Sequence, residues 1–513
     1  MNLARTKNTF RNTAWGAIYR AIAIVGPFII KTLIIKEIGM AYSGLNTLFN
    51  SILTVLNLAN LGFSSSLVYT MYEAVAKEDT DFICAMINYF RKVYRSIGFI
   101  ILGMGLVVLP FLPQLVGQEA PPGANLYIMW LLYLSATVLD YVLFGYVNAI
   151  FSAYQREDSR LKIMTIRYLF QYTLQIVLLV VFKNYYLYLI TLPLMVIPNS
   201  LANYYAAKKQ YPKIRCVGAP SKETKKSLFH RVKTLFGHSV GNTLLVNVDS
   251  ILISSFLGLS VQSLYSNYFY ILTAVNGVIE IITNGARAGL GNKLIVDSEE
   301  ENHRLFLGMN YGWIALVGFC ATCMLCLFQP FIGGIWIGEE GLLDTSFVIF
   351  LTLFFYSWMF RVMQLTYRDA AGLWTVDWLK PYVSMVLKVI FSVLLVTVTH
   401  RIEGVLLPSI LILAFLYFPW EAIVLYKNLF HRSWLIYLKR VLCYTAINAA
   451  VATLCYFLCT MVSPANTLPS FAIRLVIICV IFPVVWLVTT HKTGEFQTML
   501  TLAKRLLGRR HAK

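Results

Sequence analysis

Long apolar runs broken by short polar stretches cover almost the whole chain. Fourteen of them are near or above 20 residues, the length a helix needs to cross a hydrocarbon core of about 30 Å. Their approximate bounds are 12–36, 42–70, 92–116, 124–152, 162–182, 185–207, 230–258, 262–290, 304–332, 342–366, 376–399, 404–427, 434–461 and 468–491. The pattern predicts an all-α polytopic membrane protein. A transmembrane β-barrel is excluded, because it would show short alternating segments instead.

The polar breaks orient the chain. With the N-terminus placed in the cytoplasm, 33 of the 43 Lys and Arg fall on inner segments and three (Lys36, Lys183, Arg401) on outer ones. Cytoplasmic loops collect basic residues, so both termini are expected inside. The net charge of +19 then reads as topology rather than nucleic-acid binding. The start, MNLARTKNTFRN, leads into an apolar run too long for a cleavable leader, and no small-residue cleavage site follows. All outer loops are short. The longest inner break, 208–229, reads as a basic linker.

A shift of 219 residues lays 34–57 on 253–276 without a gap. Identical pairs include Gly39/Gly258, Leu45/Leu264, Thr54/Thr273 and Asn57/Asn276. Both stretches span the outer turn joining two helices. Six spans separate the copies, so they share an orientation. Parallel repeats of this kind are a transporter architecture. The reading is an N-lobe of six spans (1–207), the linker, a C-lobe of six (230–428), two further helices (429–491) and a basic tail (492–513).

An ionisable side chain inside a span costs several kcal/mol unless it meets a partner or a water-filled cavity. Arg20 and Lys31 in the first span are eleven residues apart, three turns plus about 20°, and so share a face. The second span carries Asn46, Asn50, Thr54, Asn57, Asn60 and Ser64 on one polar stripe, which either binds helices together or lines a cavity. Arg361 and Lys388 are further candidate cavity cations. Asp140, Asp249, Glu280 and Arg287 are assigned to ion coupling or to a structural network, with Arg167 a possible partner of Asp140. Glu421 and Arg474 are placed near interfaces. In-span cations outnumber in-span acids, which suits an anion such as a phosphate. Cys320, Cys323 and Cys326 lie inside a spanning helix and read as packing residues. No metal or cofactor site is expected, beyond H⁺ or Na⁺ as a coupling ion.

With "RTKNTFRNTAWGAIYR", "IGMAYSGLNTLFNSILTVLNLANLGF", "IFSAYQRED" and "NVDSILISSFLGLSVQSLYSNY" in view, the chain resembles Wzx-type oligosaccharide flippases. These are polysaccharide transporters of the multidrug/oligosaccharidyl-lipid/polysaccharide (MOP) exporter superfamily. The resemblance is diffuse and covers nearly the whole chain. It implies two lobes that rock to expose a cationic cavity alternately inside and outside. It also implies an undecaprenyl-diphosphate-linked glycan as substrate, for O-antigen, capsule or exopolysaccharide. Arg20 lies in the helix where related lipid II flippases carry cavity arginines. The partners it implies are membrane lipids and the polymerase and glycosyltransferases of the same pathway. A lipid II flippase and a drug/cation antiporter are alternatives on the same fold. A glycan polymerase or ligase would want a large outer loop, so no enzyme is expected.

Overall fold

A computed structural model describes residues 2–57, 63–117, 120–121, 123–373, 376–463 and 465–508. The chain is helical, and no strand occurs among these residues. It divides into two compact units, Met1–Ser263 and Leu264–Lys513.

The first unit holds α1 (Asn2–Leu33), α2 (Met40–Leu56), α3 (Phe63–Ala76), α4 (Thr80–Val108), α5 (Leu112–Val116), α6 (Leu126–Val142), α7 (Asn148–Ala153), α8 (Glu157–Phe182), α9 (Tyr185–Gln210) and α10 (Lys222–Leu257). The long α11 (Leu259–Val296) runs from the end of this unit into the second. There it is followed by α12 (Glu299–Phe331), α13 (Thr345–Met359), α14 (Val362–Ala370), α15 (Lys380–Thr399), α16 (Glu403–Leu411), α17 (Phe418–Leu425), α18 (Leu435–Val462), α19 (Leu468–Thr490) and α20 (Gly494–Gly508).

Ten helices among the described residues are long and apolar enough to span a membrane, or eleven if the pair 126–142 and 145–153, bent by 50°, is one span. These match the expected spans 1, 3–6 and 9–14. The other three fall on α2 with α3, on α10 and on α11, so the count of fourteen stands beyond what these residues establish. Residues 58–62 lie outside the described set, as do many side chains of α10 and α11. The outer surface is apolar. Val107, Phe170, Val181, Val398, Phe415 and Val488 are all at least 61% exposed. Only lipid makes such a surface stable.

Local chemistry sets the helix ends. Asn125 caps α6 by accepting from the Tyr127 and Ile128 amides, and Asn184 caps α9 through those of Tyr186 and Leu187. Ser298 and Glu301 form a reciprocal capping box at the start of α12. The sequence repeat reappears as backbone geometry. Gly39 before α2 has φ +127° and Gly258 before α11 has φ +97°, a conformation that glycine alone adopts at no steric cost.

Within the first unit, α1 packs on α8. A Cβ on Gly26 would lie 2.1 Å from the Tyr172 ring, so this crossing needs glycine. Tyr19 stacks on Tyr168, which in turn stacks on Tyr172. The core of this unit gathers Leu45, Phe49, Trp130 and Tyr133, with a second cluster around Met86, Phe90 and Phe151. In the second unit the core is aromatic, with Phe306, Tyr367, Tyr426, Tyr437 and Trp486 in one cluster.

Half of the basic stretch 208–229 is helical, the end of α9 and the start of α10, with 211–221 between them. That segment lies against α4. The Asn88 side chain donates to the Gly218 carbonyl at 2.7 Å, and the Arg215 amide donates to Cys84 Sγ at 3.2 Å.

Candidate functional site

In the first unit α1 carries Arg20 exposed, with no ion pair among the described residues, and Lys31 half-buried in its last turn. The asparagine stripe of α2 divides into two environments. Asn46 Oδ1 accepts from the Tyr133 hydroxyl at 2.5 Å and from Asn50 Nδ2 at 2.7 Å. The Tyr133 and Tyr185 hydroxyls lie 3.1 Å apart. Asn46 thus ties α2 to the tyrosines of α6 and α9. Asn50 and Thr54, one and two turns on, are exposed and, among the described residues, bond only within their own helix. Asn57 is half-buried, and its Oδ1 meets no donor among the described residues. Ser64 meets the Tyr94 hydroxyl at 3.3 Å, and Asn60 lies outside the described residues.

Asp140 is half-buried on α6 in the field of Arg167 and Arg160, and the Arg167 guanidinium lies 5.2 Å from the Tyr168 ring centre. Asp249 is fully buried in α10. In the second unit Glu280 is exposed on α11 and accepts from Asn276 Nδ2 at 3.5 Å. The Arg287 side chain lies outside the described residues. Lys388 is buried in α15 at 1% exposure.

Arg361 belongs to a charge network. Its Nη1 lies 2.6 Å from Glu421 Oε1, which also takes Lys380 Nζ at 2.5 Å. Lys380 Nζ reaches Asp377 Oδ2 at 2.8 Å, and Arg368 Nη1 reaches the same oxygen at 2.7 Å. Arg368 also pairs with Asp369 at 2.8 Å. Three cations meet three carboxylates, five of the six groups buried. The Tyr417 ring centre lies 4.7 Å from both Arg361 and Lys380, and its hydroxyl meets Ser384 at 2.8 Å. A lone ion here would cost several kcal/mol; shared oxygens and the ring face offset that cost. The network joins the α13–α14 junction, the start of α15 and α17. Glu421, placed near an interface by its sequence position, is 1% exposed at the centre of it. Sequence reading missed Arg368, Asp369, Asp377 and Lys380, because they sit at span ends that look like solvated loop. The signal was present in the even balance of signs over 368–380.

Arg474, the other such residue, is also buried and acts as a clasp. It donates to the Ser463 carbonyl through Nε and Nη2, at 3.0 and 2.8 Å, and to the Cys326 carbonyl through Nη1 at 3.0 Å. It thereby fixes α19 to α18 and α12. Cys320, Cys323 and Cys326 lie in α12, and no group of three or more potential metal ligands occurs among the described residues.

Residues 6–287 match the model of a family described as polysaccharide biosynthesis protein. Several solved structures share the fold. The lipid II flippase MurJ, in an inward closed conformation, matches with a TM-score of 0.62 at 13% identity, over 94% of this chain and 98% of that one. An inward-facing multidrug resistance MATE family transporter of the MOP superfamily matches with 0.61 at 13% identity, over 76% and 92%. A MOP superfamily transporter from Pyrococcus furiosus, for which a binding pocket of reverse polarity suggests a different function, matches with 0.53 at 12% identity, over 83% and 97%. No curated protein sequence matches the chain.

Proposed function

We propose that this chain, which belongs to the polysaccharide biosynthesis protein family, is a flippase for an undecaprenyl-diphosphate-linked oligosaccharide. It is a multi-pass membrane protein with the fold of MOP superfamily transporters. The observation that carries the reading is the coincidence of that family match, over 6–287, with a transporter fold covering nearly the whole chain. The protein sits in the bacterial cytoplasmic membrane with both termini inside. It acts as a carrier, not an enzyme, and serves surface polysaccharide synthesis.

The glycan is built on the cytoplasmic face, and its diphosphate enters a cationic cavity that opens alternately to either side. Desolvating the diphosphate is the main cost, and fixed cations offset it. Arg20 is the first of these, since it is exposed and without an ion pair among the described residues. Lys31 and Lys388 add positive charge. The exposed Asn50 and Thr54 offer hydrogen bonds to sugar hydroxyls. Arg361, whose charge Glu421 takes up, holds the second unit together instead. Asp140, Asp249 and Glu280 are the candidates for coupling to an ion gradient.

The test is complementation of a flippase-null strain, scored by which surface glycan returns. Return of a lipid-linked polysaccharide supports the reading. Failure of every surface polysaccharide at normal membrane levels of the protein would overturn it.

A further inference from the structure

The first unit encloses a cavity of about 470 Å³ at the end where 211–216 meets the helices, a volume in the range of ligand sites. Arg91 from α4, Lys208 from α9 and Arg215 from the connecting segment line it, and no carboxylate does. Tyr146 and Tyr211 complete the polar part of the wall.

The surroundings leave this positive charge uncompensated. Asp158, which acts on Tyr211, is held by Arg11 at 2.7 Å and Arg156 at 2.9 Å. Glu157 is held by Arg160 at 2.7 Å. Lys208 and Arg215 have no ion pair among the described residues. Arg91 donates one bond, at 3.0 Å, to Asn88 Oδ1, and its charge acts on Tyr146. That leaves guanidinium donors to spare.

The wall is built rather than loose. Asn88 grips the Gly218 carbonyl, Cys84 accepts from the Arg215 amide, and Tyr154 stacks on Tyr211 with ring centres 4.2 Å apart. Three cations on a fixed frame suit a phosphate group.

The route to the cavity points to a lipid. Ile190, Leu194, Ile197, Leu201 and Tyr205 are all exposed on α9. Steps of four, three, four and four put them on one stripe, which ends in a tyrosine suited to the membrane interface and then in Lys208. We infer that this cavity binds the phosphate headgroup of an anionic phospholipid, with Arg91, Lys208 and Arg215 around the phosphate and the acyl chains along the α9 stripe. The site lies within the first unit, and neither Arg20 nor Lys31 lines it.

The experiment uses full-length protein in detergent. Retention of added phosphatidylglycerol and phosphatidylcholine is measured by native mass spectrometry, and thermal stability with and without inorganic phosphate. The variants are Lys208→Gln with Arg215→Gln, and Lys208→Arg with Arg215→Lys; both positions changed are exposed, which spares the fold. Wild type retains phosphatidylglycerol over phosphatidylcholine. The neutral pair loses about fivefold per basic residue removed, and the charge-conserving pair keeps most of the binding. If inorganic phosphate alone stabilises wild type but not the neutral pair, the anion site stands and its ligand is a soluble phosphate. Equal retention of both lipids by wild type, or of phosphatidylglycerol by wild type and the neutral pair, with no effect of phosphate, overturns the assignment.

Discussion

Lys380 and Arg361 converge on a single oxygen, Oε1 of Glu421, at 2.5 and 2.6 Å, and none of the three side chains is more than 3% exposed. Removing one partner of a buried pair leaves the other charged and alone, which costs about 3–5 kcal/mol. Glu421→Gln takes the carboxylate from Arg361 and leaves Lys380 with Asp377 alone, at 2.8 Å. It should lower the thermal unfolding midpoint of purified protein far more than Glu73→Gln, a change at an exposed carboxylate that pairs with Lys77 within one helix at 2.6 Å. Equal midpoints for the two variants would show that the network contributes little.

Arg20 makes the opposite prediction. It is exposed and unpaired among the described residues, so Arg20→Ala should change the free energy of unfolding by no more than about 0.5 kcal/mol while abolishing complementation. Arg20→Lys keeps the charge but not the planar fork, and should restore only part of the activity. Membrane level and surface glycan are measured side by side. Normal glycan in the Ala variant at normal membrane level would remove Arg20 from the site.

How these two arginines differ shows what a sequence discloses about a membrane protein. Apolar runs are legible because lipid forces every spanning segment to satisfy its own backbone. Arg20 and Arg361 look alike in that reading, each a cation in an apolar run. What separates them is Glu421, 60 residues from Arg361 in sequence, and pairing at that distance leaves no local trace. The bend between α6 and α7 was hidden for a similar reason. Gly145 there approaches the Asp140 backbone so closely that a Cβ would meet its carbonyl oxygen at 2.3 Å, yet the run 124–152 reads as continuous. The repeat was legible because Gly39 and Gly258 answer to backbone geometry, which a side-chain alphabet does record.

The asparagine stripe should divide by function. Asn46→Leu removes one acceptor of the Tyr133 hydroxyl and leaves that buried phenol with the Tyr185 hydroxyl at 3.1 Å, a net cost of about 0.5–1.5 kcal/mol. Asn50→Leu alters an exposed position bonded only within its own helix. The first variant should show a lowered unfolding midpoint. The second should keep its midpoint and lose transport, measured as surface glycan per unit of membrane protein. Loss of stability in both, with transport intact in the folded fraction, would make the whole stripe structural.

Contact between α1 and α8 rests on a small residue facing a large one. A Cβ at position 26 falls 2.1 Å from Tyr172 Cε2 and 2.3 Å from Cδ2, so Gly26→Ala forces the ring or the helix to move, at a cost of about 1–3 kcal/mol. Moving the ring alone disturbs its stack on Tyr168 at 5.3 Å, and through that the Tyr19 contact at 5.7 Å. Tyr172→Ala in the same chain makes room for the new methyl. The double variant should therefore be more stable than the sum of the single effects predicts, by about 0.5–3 kcal/mol of coupling. Strict additivity of the unfolding midpoints would mean that α1 and α8 do not meet at this pair. Because Arg20 lies on α1 six residues before Gly26, a shift of the helix should also weaken complementation in Gly26→Ala and recover it in the double variant.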